Sequence, residues 1–260
     1  MTKALILAAG LGSRLYPLTS NKPKTLVPLF GESILLRQKK VLNALGINNI
    51  SVVVGHMAKS IERLNFNCIN NENYESTNMV SSFFCAKDFF SKKEDLIVSY
   101  GDIIYQKNNL KKLLKSSEEI SVMVDKDWLR YWNLRFTDPL SDAESLIINS
   151  DNSIKDIGKK TDDYKNIQGQ YTGLLKIKSS SIMNILDFYN NLDKNKIYYK
   201  KKFNELDFTT FLQILIDHAW KVYAVTVSNG WLEIDSKTDL NLYEKLEKKG
   251  MLNKFFNLND

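Results

Sequence analysis

The sequence predicts an α/β fold: a mostly parallel central sheet flanked by helices on both faces, with a small insertion on the substrate side. Three observations carry this. Short aliphatic runs alternate with stretches of helical periodicity through the first 125 residues. Those runs are apolar enough to be buried on both faces, as strands of a parallel sheet are. The residues with chemical character, two glycines after the first run and Asp102, fall at strand ends, where open α/β sheets hold their ligands.

Residues 3–9 read as the first strand. Ile34, Leu35, Gln38, Val41, Leu42 and Leu45 share one helix face, closed by Gly46. Residues 50–54 form a second strand, 57–64 a short helix, and Cys68-Ile69 a third short strand. Ser76-Thr77-Asn78 opens a helix whose apolar residues are Met79, Val80, Phe83 and Phe84. Residues 96–100 are a fourth strand ending in Gly101-Asp102; Leu110, Leu113 and Leu114 mark a helix, and 120–124 a fifth strand. After Asp125 the character changes. Trp128, Tyr131, Trp132 and Phe136 stand among charges, followed by short strands at 145–148, 153–157 and 170–177. Helices at 180–189 and 206–218 and a strand at 222–227 lead to Gly230-Trp231-Leu232-Glu233-Ile234-Asp235. A last helix at 237–249 precedes a tail that packs or frays. No linker or repeat intervenes, so residues 1–260 read as one domain with parts at 1–125, 126–235 and 236–260.

The composition is that of a globular chain, 43% hydrophobic and 25% charged. No apolar run approaches the ~18 residues of a membrane span, and the N-terminal run is interrupted too soon for a signal peptide. Cys68 and Cys85 lack metal spacing and point to a reducing cytoplasm; His56 and His218 are isolated, which argues against a histidine triad or metal centre. The net charge of +6 is mostly scattered lysine that would attract anionic substrates. Neither Lys111-Lys112 with Lys115 nor Lys200-Lys201-Lys202 has the aromatic interleaving of a nucleic-acid surface.

The stretch Leu7-Ala8-Ala9-Gly10-Leu11-Gly12-Ser13-Arg14 ends a buried strand in a glycine loop, with Lys24 close behind. Such a loop presents backbone N–H groups to an anion, and Arg14 and Lys24 add positive charge, which suits a polyphosphate. The spacing is neither that of the P-loop nor that of the dinucleotide fingerprint, since Leu15 stands where the third glycine belongs. Asp102 at a strand end suits Mg²⁺, which takes oxygen ligands and usually only one or two carboxylates. Glu233 and Asp235, two apart in an extended segment, project to one face and supply the partner.

The run Ala8-Ala9-Gly10-x-Gly12-Ser13-Arg14-Leu15-x-Pro17-Leu18-Thr19, with Pro23-Lys24 behind it, resembles the signature of nucleotidyltransferases that activate sugar phosphates, phosphocholine and related headgroups. The segments 125–144, Ile157-Gly158-Lys159-Lys160 and 167–174 are similar to the branch that holds phosphocholine, 2-aminoethylphosphonate and phosphoglutamine cytidylyltransferases. The likeness runs over about residues 3–245 and implies a Rossmann-like sheet of the nucleotide-diphospho-sugar transferase type. It implies CTP and a small anionic acceptor as partners, with Mg²⁺ as cofactor and pyrophosphate as product. Residues 1–125 would bind the nucleotide and 126–235 the acceptor.

On that resemblance Arg14 and Lys24 are the catalytic cations. Leu7, Ala8, Ala9, Gly10, Gly12, Ser13, Asn78 and Tyr100 contact the nucleotide, and Asp102 and Asp235 hold the metal with Glu233 as ligand or support. Asn78 also has the position of a helix cap. Asp127, Trp128, Trp132, Arg135, Asp142, Glu144, Lys159, Lys160, Gln170 and Tyr171 are the acceptor candidates: aromatics and carboxylates for a cation, Lys159 or Lys160 for the acceptor phosphate. The same aromatics would equally pack an insertion onto the sheet. Rival expectations are a sugar-1-phosphate nucleotidyltransferase, a non-catalytic nucleotide-binding module, and a glycosyltransferase, for which Asp102-Ile103-Ile104 lacks the second Asp. The late helices offer a face for a homodimer.

Overall fold

The computed structural model describes residues 1–258. The first half runs β1 (Thr2–Ala8), β2 (Pro28–Leu29), β3 (Glu32–Ser33), α1 (Ile34–Ala44), β4 (Ile50–Val54), α2 (Lys59–Glu62), β5 (Asn67–Asn70), α3 (Met79–Cys85), β6 (Asp95–Tyr100), β7 (Ile103–Tyr105), α4 (Lys107–Leu114) and β8 (Ile120–Asp125). The second half adds α5 (Trp128–Arg135), β9 (Glu144–Ile148), β10 (Ile154–Lys160), β11 (Gln170–Ile177), α6 (Ile182–Asn190), α7 (Phe208–Asp217), β12 (Tyr223–Val227), β13 (Trp231–Glu233) and α8 (Lys237–Lys248).

Seven strands form the central sheet in the order β12-β8-β11-β6-β1-β4-β5. All neighbours are parallel except β11, which runs against both β6 and β8. Along β1 the side chains alternate between two buried layers. Ala4, Ile6 and Ala8 enter a core with residues of α1, α4, α5 and α8, whereas Leu5 and Leu7 enter a core with residues of α3, α6 and α7. Burial on both faces explains why these strands read as continuous apolar runs. β9 and β10 form a separate antiparallel pair packed beside α7, the structural form of the insertion.

The register fixes where ligands can sit. Leu7 pairs with Tyr100 and Ala8 with Val54, so the carboxyl ends of β1, β4 and β6 open on one edge. The sequence does not announce β7. This short strand follows Asp102 at once and pairs antiparallel with β13, Ile103 opposite Glu233. One further bond, from Ile234 N to Asp102 O at 2.8 Å, extends that ladder and draws the segment 233–235 against the end of β6. The expected helix at 57–64 is reduced to the single turn of α2. The tail packs: Leu252, Phe255 and Phe256 are buried, and the Phe255 carbonyl accepts from Gly230 N at 2.8 Å. Among the described residues no helix is long and apolar enough to cross a membrane.

Candidate active site

Leu7, Ala8, Ala9 and Gly10 line a small cavity of about 90 Å³ at the edge of the sheet, with Lys24, Met79, Ser82, Gly101 and Asp102 opposite. The two loop glycines differ in what they do. A Cβ on Gly10 would meet nothing within 4 Å, so packing places no demand for glycine there. Gly12 is left-handed at φ 64°, and a Cβ there would lie 2.7 Å from the Lys24 Cβ. Gly12 therefore sets the turn and leaves room for Lys24 to approach the loop. The short 3₁₀ turn that follows carries Ser13 and Arg14, both exposed.

Lys24 is the centre of the site. Its ammonium donates to Asp102 Oδ2 at 2.8 Å and to Asp235 Oδ1 at 2.9 Å. Arg14 pairs with the other oxygen of Asp235. Burial opposes the charge on Lys24, but the two carboxylates outweigh it and hold its pKa above the usual lysine range. The ammonium thus keeps its proton at any physiological pH. Asp102 lines the cavity, and its Oδ1 is buried with no hydrogen-bond partner.

Asp235 and Glu233 are braced from behind. The Arg135 side chain, 2% exposed, donates to Glu233 Oε2 at 2.6 Å and to Asp239 Oδ1 at 3.0 Å. Asp239 Oδ2 in turn accepts from Asp235 N at 3.1 Å and Ser236 N at 2.8 Å, so the first turn of α8 fixes the Asp235 backbone. Tyr131 OH accepts from Glu233 N at 2.9 Å, and Tyr243 OH donates to Glu233 O at 2.8 Å. Burial raises the Glu233 pKa; Arg135 opposes this, while Asp102 and Asp235 add to it.

A larger cavity of about 310 Å³ shares Met79 with the first. Arg14, Tyr100, Trp132, Gln170, Tyr171 and Thr172 line it, together with the four carboxylates Asp142, Glu144, Asp207 and Glu233. Burial, then the neighbouring Asp207, pushes the Glu144 carboxyl up to about 7. Asp207 itself is lowered: burial opposes ionisation, but the Lys201 ammonium and the Thr210 hydroxyl and N–H outweigh it. Thr172 Oγ1 is buried without a partner. Asp207 is paired with Lys201 and Glu233 with Arg135, whereas Asp142 and Glu144 have no ion pair among the described residues; these two make the cavity a place for a group with positive charge.

Several expected residues stand elsewhere. Asp127 stands at the start of α5 without a side-chain capping bond and accepts from Asn229 Nδ2, outside both cavities. Trp128 packs in the core with its ring stacked on Tyr164 and lines neither cavity; Trp132, equally buried, lines the larger one together with Trp231, and its indole donates to Asp142 Oδ2 at 3.0 Å. Arg135 points away from the cavity into its brace. Tyr100 faces the larger cavity, not the loop. The Asn78 amide is committed to Met79 N and the Glu205 carbonyl at the start of α3, as a cap. Lys159 and Lys160 line neither cavity; they border a separate one beyond Glu144. Asp207, Thr172, Trp231 and Asp239 were not singled out from the sequence. Asp207 and Asp239 both have the form of ordinary helix-start residues, and that signal conceals their second use.

The comparisons with known proteins agree with this geometry. Residues 4–144 match the family described as MobA-like NTP transferase domain. The chain is 40% identical over 248 residues to the CTP:phosphoglutamine cytidylyltransferase of Campylobacter jejuni, covering 92% of this chain and 98% of that protein. It is 37% identical over 109 residues to the choline-phosphate cytidylyltransferase of Haemophilus influenzae, 40% of this chain and 46% of that one. The inositol-1-phosphate CTP transferase of T. maritima superposes with a TM-score of 0.74 at 22% identity, over 99% of this chain and 98% of its own. The CTP:phosphocholine cytidylyltransferase of Streptococcus pneumoniae does so at 0.68 and 22%, over 95% and 98%. The two superpositions show the fold, a Rossmann-like sheet of the nucleotide-sugar transferase type.

Proposed function

The chain belongs to the MobA-like NTP transferase domain family and is a nucleotidyltransferase, and from that premise we propose that it transfers CMP from CTP to a small acceptor bearing a phosphate or phosphonate, releasing pyrophosphate. The observation that carries this reading is Lys24, held between Asp102 and Asp235 beside the glycine loop. An ionised acceptor oxygen attacks the α-phosphorus of CTP; the bond to the β,γ-diphosphate breaks and pyrophosphate leaves. Such a reaction needs little acid–base help. It needs two anions brought into line and their repulsion offset.

Each group has a part in that. The loop from Leu7 to Gly12 offers N–H groups to the triphosphate, and Arg14, exposed on the first turn after it, takes the leaving phosphates. Lys24, permanently charged, offsets the charge at the centre of displacement. Asp102 and Asp235 would hold Mg²⁺, with Glu233 as support. The buried, unpartnered Asp102 Oδ1 fits such an ion, and Mg²⁺ requires few protein carboxylates. Among the described residues there is no cluster of three or more His, Cys, Asp or Glu that would form a complete protein cage. When bound, the ion would neutralise part of the phosphate charge. In this reading residues 1–125 serve the nucleotide and 126–235 the acceptor within one domain. The acidic cavity supports an acceptor with an amino or other cationic group, in line with the relatives named for phosphoglutamine and choline phosphate.

The test is pyrophosphate release with each nucleoside triphosphate and Mg²⁺, against phosphoglutamine, phosphocholine, 2-aminoethylphosphonate and a set of sugar 1-phosphates. Release with CTP and one of the first three is expected. Release only with a sugar 1-phosphate would replace the proposal by its nearest rival.

A further inference from the structure

A second cavity of about 390 Å³ adjoins the acidic one, and Glu144 stands on the wall of both. The partition continues through an ion pair: Lys201, on the second cavity, pairs with Asp207, on the first. The second cavity has the opposite character. Lys159, Lys160, Lys200 and Lys201 line it, with Glu144 as its single acid.

Not all of that positive charge is free. Lys159 pairs with Asp156 and Lys201 with Asp207, so both are largely neutralised in place. Lys160 gives its ammonium to the Ser141 carbonyl, which carries no net charge. Lys200 is exposed, sits at a left-handed φ of 68°, and has no ion pair among the described residues. Lys160 and Lys200 therefore supply uncompensated positive charge. Beside them Glu144, with its carboxyl pushed up to about 7, is only partly ionised at neutral pH.

Taken outward from Lys24, the chemistry changes sign twice. First come the cations Lys24 and Arg14, then the acids of the 310 Å³ cavity, then the uncompensated lysines of the 390 Å³ cavity. A ligand complementary to that order has a phosphoryl group, then an ammonium, then a second anion. An acceptor ending in a simple or quaternary amine would leave the outer lysines without a counter-charge.

We propose that Lys160 and Lys200 form a carboxylate subsite, and that the acceptor is a phosphorylated α-amino acid derivative whose ammonium lies beside Asp142 and Glu144 while its carboxylate enters the lysine-lined cavity. This rests on the cytidylyl-transfer reading for the position of the phosphoryl group. It adds the anionic end of the acceptor and the residues that read it.

The experiment compares two acceptors that differ only in that carboxylate: L-glutamine phosphorylated on its side-chain amide, and 4-aminobutanamide phosphorylated in the same way. Pyrophosphate release is followed with CTP and Mg²⁺. The expected kcat/KM ratio favours the carboxylated acceptor by roughly 10- to 100-fold, the range for hydrogen bonds to a charged group. In Lys160→Gln and Lys200→Gln, both changes of partly or fully exposed lysines, that ratio falls, and in the double variant it approaches one. A wild-type ratio near one overturns the subsite. So does a ratio that survives the double variant, or variants that slow both acceptors equally. Turnover of phosphocholine or 2-aminoethylphosphonate without carboxylate discrimination removes this inference and leaves the transfer reading standing. No turnover with CTP and any acceptor removes both.

Discussion

The proposed nucleotide end and the proposed acceptor end of this molecule are built on different terms. At the nucleotide end the working surface is backbone: the loop after β1, in register with the end of β6, with one lysine held against two carboxylates. At the acceptor end there is no contiguous motif. Its walls come from 132–144, 170–173, 207–209 and 231–233, with Arg14, Met79, Tyr100 and Ile103 from the first half, brought together only by tertiary packing. The consequence is that residue type means less there. Trp132 is a wall and Trp128, one turn away, is core. Arg14 is open to solvent at 71% side-chain exposure, and Arg135 is a buried brace at 2%.

If the nucleotide end depends on one fixed charge, its loss should have the largest effect of any single change. Lys24→Met should lower kcat by about a thousandfold, the upper range for deleting one preorganised group that stabilises charge in a transition state. The fold should persist, because Met keeps the stem that packs against Gly12 while the ammonium alone is lost. Steady-state kinetics with circular dichroism on the same sample checks both. A variant with near-normal turnover would show that the Asp102–Lys24–Asp235 bridge is structural only.

The next largest effect should come from the brace, which belongs in sequence to the acceptor half yet supports the other. Arg135→Met leaves Glu233 and Asp239 without their shared cation, and breaking a buried pair in this way costs about 3 kcal/mol. The released carboxylate of Glu233 then repels Asp235. Turnover should fall roughly 10- to 100-fold, less than for Lys24, with the Mg²⁺ concentration for half-maximal rate shifted as well. Denaturant titration measures the first effect and a Mg²⁺ series the second. An unchanged Mg²⁺ dependence would confine Arg135 to stability.

The same contrast explains what could be read in advance. The alternation of apolar runs and helical faces locates nearly every element of the sheet, because both faces of β1, β4 and β6 are buried and their pattern is local. Gly12, Asp102 and Asp235 are legible because strand ends follow from strand positions, and Lys24 from the Pro23-Lys24 pair behind the glycine loop. β7 is not, since three apolar residues after a turn carry no periodicity. Arg135, Asp207 and Asp239 are illegible for another reason. A charged residue near a helix end has an adequate local explanation; what reveals the other one is distant in sequence, Glu233 and Asp239 for Arg135 and the cavity shared with Glu144 for Asp207. The aromatic run 128–136 is apolar on one face and so packs inward, as composition alone suggests.

A smaller effect should separate the two ends by pH. Glu144 has its carboxyl pushed up to about 7 by burial and Asp207, from the usual glutamate value of about 4.5. Its carboxylate therefore develops as pH rises through 7, and with it the attraction for an acceptor ammonium. For an amino-bearing acceptor kcat/KM should rise by about tenfold across that interval, and Glu144→Gln should flatten the rise. The stability sign is the reverse. Between about 4.5 and 7 the folded chain keeps a proton that the unfolded chain has released, so raising pH through that window costs stability. The same variant should remove that slope in urea titrations at pH 5 and 7. A pH–rate profile unchanged by the substitution would take Glu144 out of acceptor recognition.

Asn78 gives the smallest effect, and one that tests whether a side chain at the nucleotide end reads the base at all. Its Oδ1 accepts from Met79 N at 2.8 Å and its Nδ2 donates to Glu205 O at 3.2 Å, which ties the start of α3 to the segment before α7. An amide bonded to backbone at both ends is fixed in orientation with only its second lone pair and second N–H left over, and Asn78 lines neither of the two cavities. Asn78→Ala should then cost about 1 kcal/mol of stability, the usual value of a lost N-cap. The KM for CTP should change less than twofold, and the preference for CTP over UTP should be unaltered. If instead discrimination between CTP and UTP collapses while stability holds, the amide turns to the base when nucleotide binds. In that case the nucleotide end, like the acceptor end, depends on a side chain whose local role conceals its functional one.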